Sequence, residues 1–596
     1  MERKDPIMPQ NAQSAPYRTL PRVAVHCPGV QYHAGFAHIA PALKAAAAGR
    51  RVVTVDCYPG VDQAELAAGL AALDPVLVIH SDDLALEPEK LDAALERDLL
   101  PGDPVFGILT VRRLGDFFYP EKIAEARRRI EQAPEGLVLV YGVGAALVHP
   151  GDLQVVADIT RWEIQLRYRR GMDNWRTART NLPKLEKYKR GYFAEWRWAD
   201  REKDHLLNTM DFYLDMTTQG SPVMVDGPAY REALRQTARQ PFRLVPYFDP
   251  GVWGGHWMKD HFALPDNGSN YAWSFDGVPE ENSLLLDFDG RLLQTPAMNL
   301  VLQQPRALLG ERVHARFGKE FPIRFDMLDT VGGQNLSLQV HPLTEYIQQQ
   351  FNMRYTQDES YYILDAGPDA AVWLGLRTGA DPAAMEADLR RAQTGEAPFP
   401  AEQYINRIPV KKHDHLLIPA GTVHGSGAGT MVLEISATPY IFTFKLWDWG
   451  RLDLDGKPRP IHLDHGLANI QWDRDTRWVQ EQLVDRQTTV YTDENCQVER
   501  TGLQEREFLD TWRISTCTEA TVARNGSVHM LNLVEGRRAL LVSPSGAFAP
   551  FALHYAETCV LPQDAGDYRV VSPDGEPIRV ILACVQGPAP LPRRAD

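Results

Sequence analysis

The sequence predicts a multidomain chain: an α/β unit built on a parallel sheet, then two all-β barrels, the first carrying a helical insertion. Three observations predict it. The chain has 596 residues, far more than one core organises when domains run to about 100–200 residues. Between Pro21 and about Thr160, short apolar runs alternate with Ala-, Leu-, Glu- and Arg-rich helical stretches, which is the pattern of parallel strands with helices on both faces. From about residue 485 to 590 the chain carries many short β-rich runs separated by Gly, Pro, Asn and Asp, the pattern of a smaller barrel or sandwich. The expected divisions are residues 1–215, 216–475 and 476–596.

Composition narrows the function. A formal net charge of −15 disfavours a nucleic-acid partner, because phosphate neutralisation needs a basic face. The six cysteines (Cys27, Cys57, Cys496, Cys517, Cys559 and Cys584) form no Cys-x-x-Cys pair and read as free thiols of a reducing compartment. No apolar run approaches the ~20 residues of a membrane span. The amino terminus lacks a signal-peptide core. A cytoplasmic protein that binds neither membrane nor nucleic acid is the expectation, and oligomeric state is left open.

In order, residues 1 to about 20 are polar and expected to be loosely draped. Arg51 to Asp56, Pro75 to His80 and Gly136 to Tyr141 read as strands, with helices over Gln63 to Leu73 and Pro120 to Gln132. From Thr177 to about Asp215 the chain is rich in cations and aromatics, including Lys184, Lys187, Lys189, Arg190, Tyr192 and Trp196. That stretch is an amphipathic connector whose aromatics pack on the preceding domain, its long cationic stems lying over apolar surface, or, on a sharper reading, an anionic-substrate lid or interdomain brace. Asp381 to Gln393 reads as a helical insertion over the first barrel.

The chemistry concentrates between Leu336 and Arg451. In Leu336-Ser-Leu-Gln-Val-His-Pro342, Gln339 and His341 point to one side of a strand. Glu359 opens the run Glu-Ser-Tyr-Tyr-Ile-Leu364, and His424 closes Leu416-Leu-Ile-Pro-Ala-Gly-Thr-Val-His424. An amide oxygen, a carboxylate and two imidazoles suit one divalent ion of borderline softness such as Zn²⁺. These runs, with Thr443-Phe-Lys-Leu-Trp-Asp-Trp-Gly-Arg451, resemble the type I mannose-6-phosphate isomerases, which are metal-dependent cupins. The resemblance implies cupin barrels and the metal ligands Gln339, His341, Glu359 and His424. It also implies a sugar or sugar-phosphate substrate and aldose–ketose isomerisation through a cis-enediol.

It further places Asp448 and Arg451 at the pocket mouth, where a guanidinium holds phosphate well; the plain alternative is a strand-end ion pair. Lys445 replaces a family arginine and keeps its charge. Glu434 lies on a strand whose inward face reaches the pocket, as an acid or as the partner of an arginine. One departure stands out: the family's usual lysine two residues before the metal-binding glutamate is here Gln357, and an amide can neither carry charge nor shuttle a proton. A sugar-binding or regulatory protein derived from an enzyme is therefore the alternative function.

His413 and His415 are candidates to orient ligands, or else edge residues. The carboxy-terminal barrel resembles the family's second cupin without its metal motifs; His529 and His554 are its central histidines, and it is expected to be metal-free. Gly136 to Ala145, Asp152 to Asp158 and Arg161 to Arg170 resemble the later half of uridine-kinase-like phosphotransferases. No Gly-x-x-x-x-Gly-Lys-Ser/Thr appears, and Tyr141 stands at the would-be glutamate, so a scaffold of kinase-like topology without its chemistry is expected.

Overall fold

The computed structural model describes residues 17–266, 268–439, 441–502 and 507–591. The first sheet has seven strands, in the order Tyr32–Ala34, Val223–Asp226, Phe212–Asp215, Leu153–Asp158, Val52–Cys57, Val138–Gly142 and Leu77–His80. The last five are mutually parallel, and the first two add on antiparallel. Val52–Cys57 is buried along its whole length, as a central strand covered on both faces must be. Because Val223–Asp226 and the helix Gly227–Thr237 complete this unit, the expected boundary at 215 falls inside it.

After Val52–Cys57 the chain enters the helix Gln63–Leu70, where a phosphate cradle would sit. The Asp62 carboxylate accepts from the Ala64 and Glu65 amides, both at 3.0 Å. A carboxylate thus already caps the helix end that would hold an anion. Ile164 packs against the side of Gly60 where a Cβ would stand.

The stretch read as a connector is packed, not draped. Lys187, Lys189 and Arg190 are buried. Lys187 Nζ donates to the Met172 carbonyl (2.8 Å) and pairs with Asp173 (2.9 Å), Lys189 Nζ donates to the Leu99 carbonyl (2.7 Å), and Arg190 pairs with Glu195 (2.7 Å). These cations are satisfied internally, which counts against a substrate lid, while Tyr192, Phe193, Trp196 and Trp198 are buried in the apolar cluster of the α/β unit, as the connector reading expects. Bracing is present as well: Arg169 grips Asp249 through two bonds of 2.8 and 2.7 Å, and Tyr188 of this stretch donates to Glu281.

The second unit is two sheets packed face to face. One has six strands, in the order His415–Ile418, Glu359–Ala366, Thr430–Ala437, Ile323–Asp329, Trp273–Gly277 and Tyr247–Asp249. The other has five: Ile405–Pro409, Ala371–Leu376, His424–Ser426, Leu338–Val340 and Phe444–Trp447. Side chains from both sheets, among them Tyr361, Val432, Leu374 and Leu416, share one apolar cluster between them. The helix Pro382–Gln393, capped by the Asp381 side chain, packs with Phe444 and Leu446 on the outer face of the five-stranded sheet. The hairpin Ser283–Phe288 with Arg291–Pro296 pairs with Val23–Ala24 in a third, small sheet.

The third unit sets a six-stranded sheet (Thr488–Thr492, Cys496–Gly502, Leu509–Thr516, Ile578–Val585, His529–Glu535, Thr558–Leu561) against a four-stranded one. His529 is a satisfied core histidine, its ring nitrogens 3.1 Å from Tyr568 Oη and from Asn525 Oδ1.

Residues 1–16 of the expected loose terminus lie outside the described residues, but Tyr17 and Arg18 are anchored. Arg18 and the fully buried Arg243 both pair with Glu557, at 3.0 and 2.6 Å. Burial works to raise the Glu557 carboxyl, and His554, Arg243 and Arg18 outweigh it, so it is held far below the usual carboxylate range. Breaking such a pair leaves an uncompensated buried charge. Glu557→Gln is expected to cost about 3–5 kcal/mol, read as a lowered denaturation midpoint at unchanged m-value.

No helix among the described residues is long and apolar enough to cross a membrane.

Candidate metal centre

Cross-strand register assembles the site. Gln339 lies directly opposite His424 on one side and Lys445 on the other, so all three side chains project from the same face of the five-stranded sheet. From the facing sheet, Glu359 lies opposite Ser436, Tyr361 opposite Glu434, and Glu434 opposite Asp326. Glu359, Glu434 and Asp326 therefore share the inward face.

His341, Glu359 and His424 meet at the centre, each with a ligand atom within 4.8 Å of the others. Both rings are fully buried. His341 Nδ1–H donates to the Phe442 carbonyl at 3.0 Å, and His424 Nδ1–H to the Thr422 carbonyl at 2.9 Å. A carbonyl can only accept, so each ring carries its proton on Nδ1 and turns the Nε2 lone pair inward, the tautomer a metal ligand needs. Each Nε2 stands 2.9 Å from a Glu359 oxygen, yet His341 Nε2 and Glu359 Oε1 make no hydrogen bond. Buried polar atoms that converge without bonding fit a cation between them.

The Gln339 amide nitrogen lies 3.2 Å from His424 Nε2. Rotating that amide by a half turn presents its oxygen instead. Burial acts to raise the Glu359 carboxyl, but the two imidazoles dominate and hold it well below its ordinary range.

Gln357 is buried beside the cluster and donates to Glu359 Oε2 at 3.2 Å, while its own carbonyl oxygen is unpartnered. Glu434 pairs with Arg324 (3.0 Å), which also pairs with Asp326 (3.0 Å). Glu434 thus faces inward and meets an arginine, the second of its two readings. Burial, with Asp326 and Glu359 nearby, pushes its carboxyl well above the usual range.

Lys445 Nζ makes no hydrogen bond or ion pair with the described residues, and burial, aided by Arg459, lowers its amine to about 8. Next to it, Asp448 pairs with Arg451 (2.5 Å) and with Arg459 (3.1 Å), and Arg451 also donates to the Asn335 carbonyl at 2.6 Å. This is the strand-end ion pair, extended to a triad.

His415 does not orient a ligand. It lies opposite the outward-facing Tyr362, buried, with its ring 2.9 Å from Ser360 Oγ; His413 occupies a left-handed turn position before that strand. Arg324, Asp326 and Arg459 escape sequence reading because no spacing links them to the ligands; only strand register and the return of the chain after Asp448 bring them in.

The profile of a family described as "Domain of unknown function (DUF8485)" matches residues 35–239. Over 332 residues the chain is 23% identical to mannose-6-phosphate isomerase ManA of Bacillus subtilis, covering 56% of this chain and 96% of the relative. It is 27% identical over 232 residues to the probable mannose-6-phosphate isomerase GmuF of the same organism, covering 39% and 68%. The crystal structure of a mannose 6-phosphate isomerase from Bacillus subtilis aligns with 58% of this chain and 99% of its own, at 19% identity and a TM-score of 0.47.

Proposed function

We propose that this chain, a distant relative of the mannose-6-phosphate isomerases, is a metal-dependent aldose–ketose isomerase acting on a hexose phosphate. One observation carries the reading: two imidazoles, each locked by a backbone carbonyl, aim their free nitrogens at one buried carboxylate. His341, His424 and Glu359, with Gln339 after its amide turns, would hold one Zn²⁺ or a similar ion. Such an ion supplies Lewis-acid polarisation of the sugar's C1 and C2 oxygens when bound.

The residues around it supply the proton chemistry. Lys445, unpaired among the described residues and with its amine lowered to about 8, takes the proton from C2 as a neutral base. Glu434, its carboxyl pushed up by burial and by Asp326 and Glu359 nearby, donates to the carbonyl oxygen at C1, and the product is a neutral cis-enediol. Return of the Lys445 proton to C1, with the O2 proton passing to the Glu434 carboxylate, completes the ketose and restores both groups. Arg451 and Arg459, fixed by Asp448, form a cationic rim for the phosphate.

The test is solvent exchange. Zinc-loaded protein in deuterated water is expected to place deuterium at C1 or C2 of at least one hexose phosphate in a panel. Tight binding without exchange at either carbon would overturn the isomerase reading in favour of a sugar sensor, the role that Gln357 suggests.

Gln357→Lys restores an amine beside Glu359. It is expected to raise turnover of mannose 6-phosphate at least tenfold, within the range of a positioned proton-transfer group, with zinc content unchanged. A variant with no gain would show that Lys445 already carries the function of that position.

A further inference from the structure

We propose that the amino-terminal α/β unit is a positioning element of the metal centre, acting through Phe106 and Phe193 on the backbone that orients His341. The inference rests on His341 being a metal ligand. The His341 ring is fixed by one hydrogen bond, from Nδ1–H to the Phe442 carbonyl at 3.0 Å. That carbonyl belongs to a turn between strands, Thr443 N–H donating to the Ile441 carbonyl at 2.9 Å, and not to a ladder that would hold it rigid. What holds it is the Phe442 side chain, which is fully buried.

Two of the rings that hold it come from the amino-terminal unit. Phe106 stacks on Phe442 with ring centroids 5.7 Å apart and planes 10° from parallel. Phe193 meets it edge-on at 5.8 Å. Phe351 of the second unit completes the cage at 5.0 Å. Phe106 also meets Phe444 edge-on at 5.1 Å, the residue next to Lys445, so one ring steadies both the ligand's support and the base's strand.

The backbone carrying these rings is itself pinned. Thr110 N–H donates to the Phe193 carbonyl (2.9 Å), and Leu109 N–H crosses to the Phe351 carbonyl (3.0 Å). Phe193 lies in a single π-helical segment, Gly191–Glu195, a local geometry that often marks functional positions. The groups that orient a ligating histidine typically alter metal affinity about 10–100-fold when lost. The α/β unit therefore has a role that needs no ligand of its own.

The test uses the full chain and zinc. Phe106→Leu and Phe193→Leu are compared with Phe117→Leu, which shortens an equally buried phenylalanine of the same unit, one packed on Trp198. Zinc affinity is read by chelator competition, the ligand field by the visible spectrum of the cobalt-substituted protein, and folding by Tm. All three variants are expected to lower Tm, but only the first two weaken zinc about tenfold and shift the cobalt bands. Wild-type zinc affinity and spectrum in both, or equal weakening by Phe117→Leu, overturns the inference while leaving the metal centre intact. Failure of the wild-type protein itself to bind zinc overturns the metal reading and this inference together.

Discussion

Glu359→Ala is expected to abolish zinc binding at micromolar metal and, with it, hydrogen exchange into the sugar. Glu359 is the one anion among the proposed ligands, and it touches both imidazoles at 2.9 Å. Its removal exceeds the ~10–100-fold penalty of losing an orienting partner, because the charge that offsets the ion's desolvation goes with it. The fold should survive, since His341 and His424 keep their carbonyl partners. Dialysed protein assayed for zinc, together with a far-UV spectrum, separates the two effects. A variant that retains one zinc per chain would contradict the assignment.

Lys445→Met is the second large effect. Removing a positioned base costs about 10²–10⁴ in rate, so kcat/KM for the active hexose phosphate should fall by that factor with zinc content unchanged. The sign of the pH dependence follows from the amine. Burial, with Arg459 adding to it, lowers Lys445 to about 8, and the base form is the neutral one. Activity of the native chain should therefore rise as pH increases through about 8 and level off above it. In Lys445→Met that limb disappears. An opposite slope, with activity lost as pH passes 8, would assign Lys445 to binding the anionic end as an ammonium and leave base catalysis to another group.

The central cluster was legible in the sequence because strand chemistry is local. A two-residue step puts Gln339 and His341 on one side, and a Pro-Ala-Gly turn delivers His424 directly into a strand. The parallel sheet was legible for the same reason, each apolar run lying within two residues of its strand. What the sequence withheld depends on pairing across a sheet. Arg324 meets Glu434 only because Ile323–Asp329 runs beside Thr430–Ala437 in one register. In the connector the aromatics were legible, but Lys187, Lys189 and Arg190 resemble a solvated face until carbonyl partners from distant loops are seen. Phe442 carries no sequence signal at all; its importance lies in a carbonyl that every residue possesses.

Crystals grown with zinc and measured at the zinc absorption edge test the central claim most directly. One anomalous peak is expected per chain, about 2.0–2.2 Å from His341 Nε2, His424 Nε2 and a Glu359 oxygen, with the Gln339 amide oxygen turned toward it. No peak between these residues in zinc-supplemented crystals, or a peak bound only elsewhere on the chain, would contradict the account.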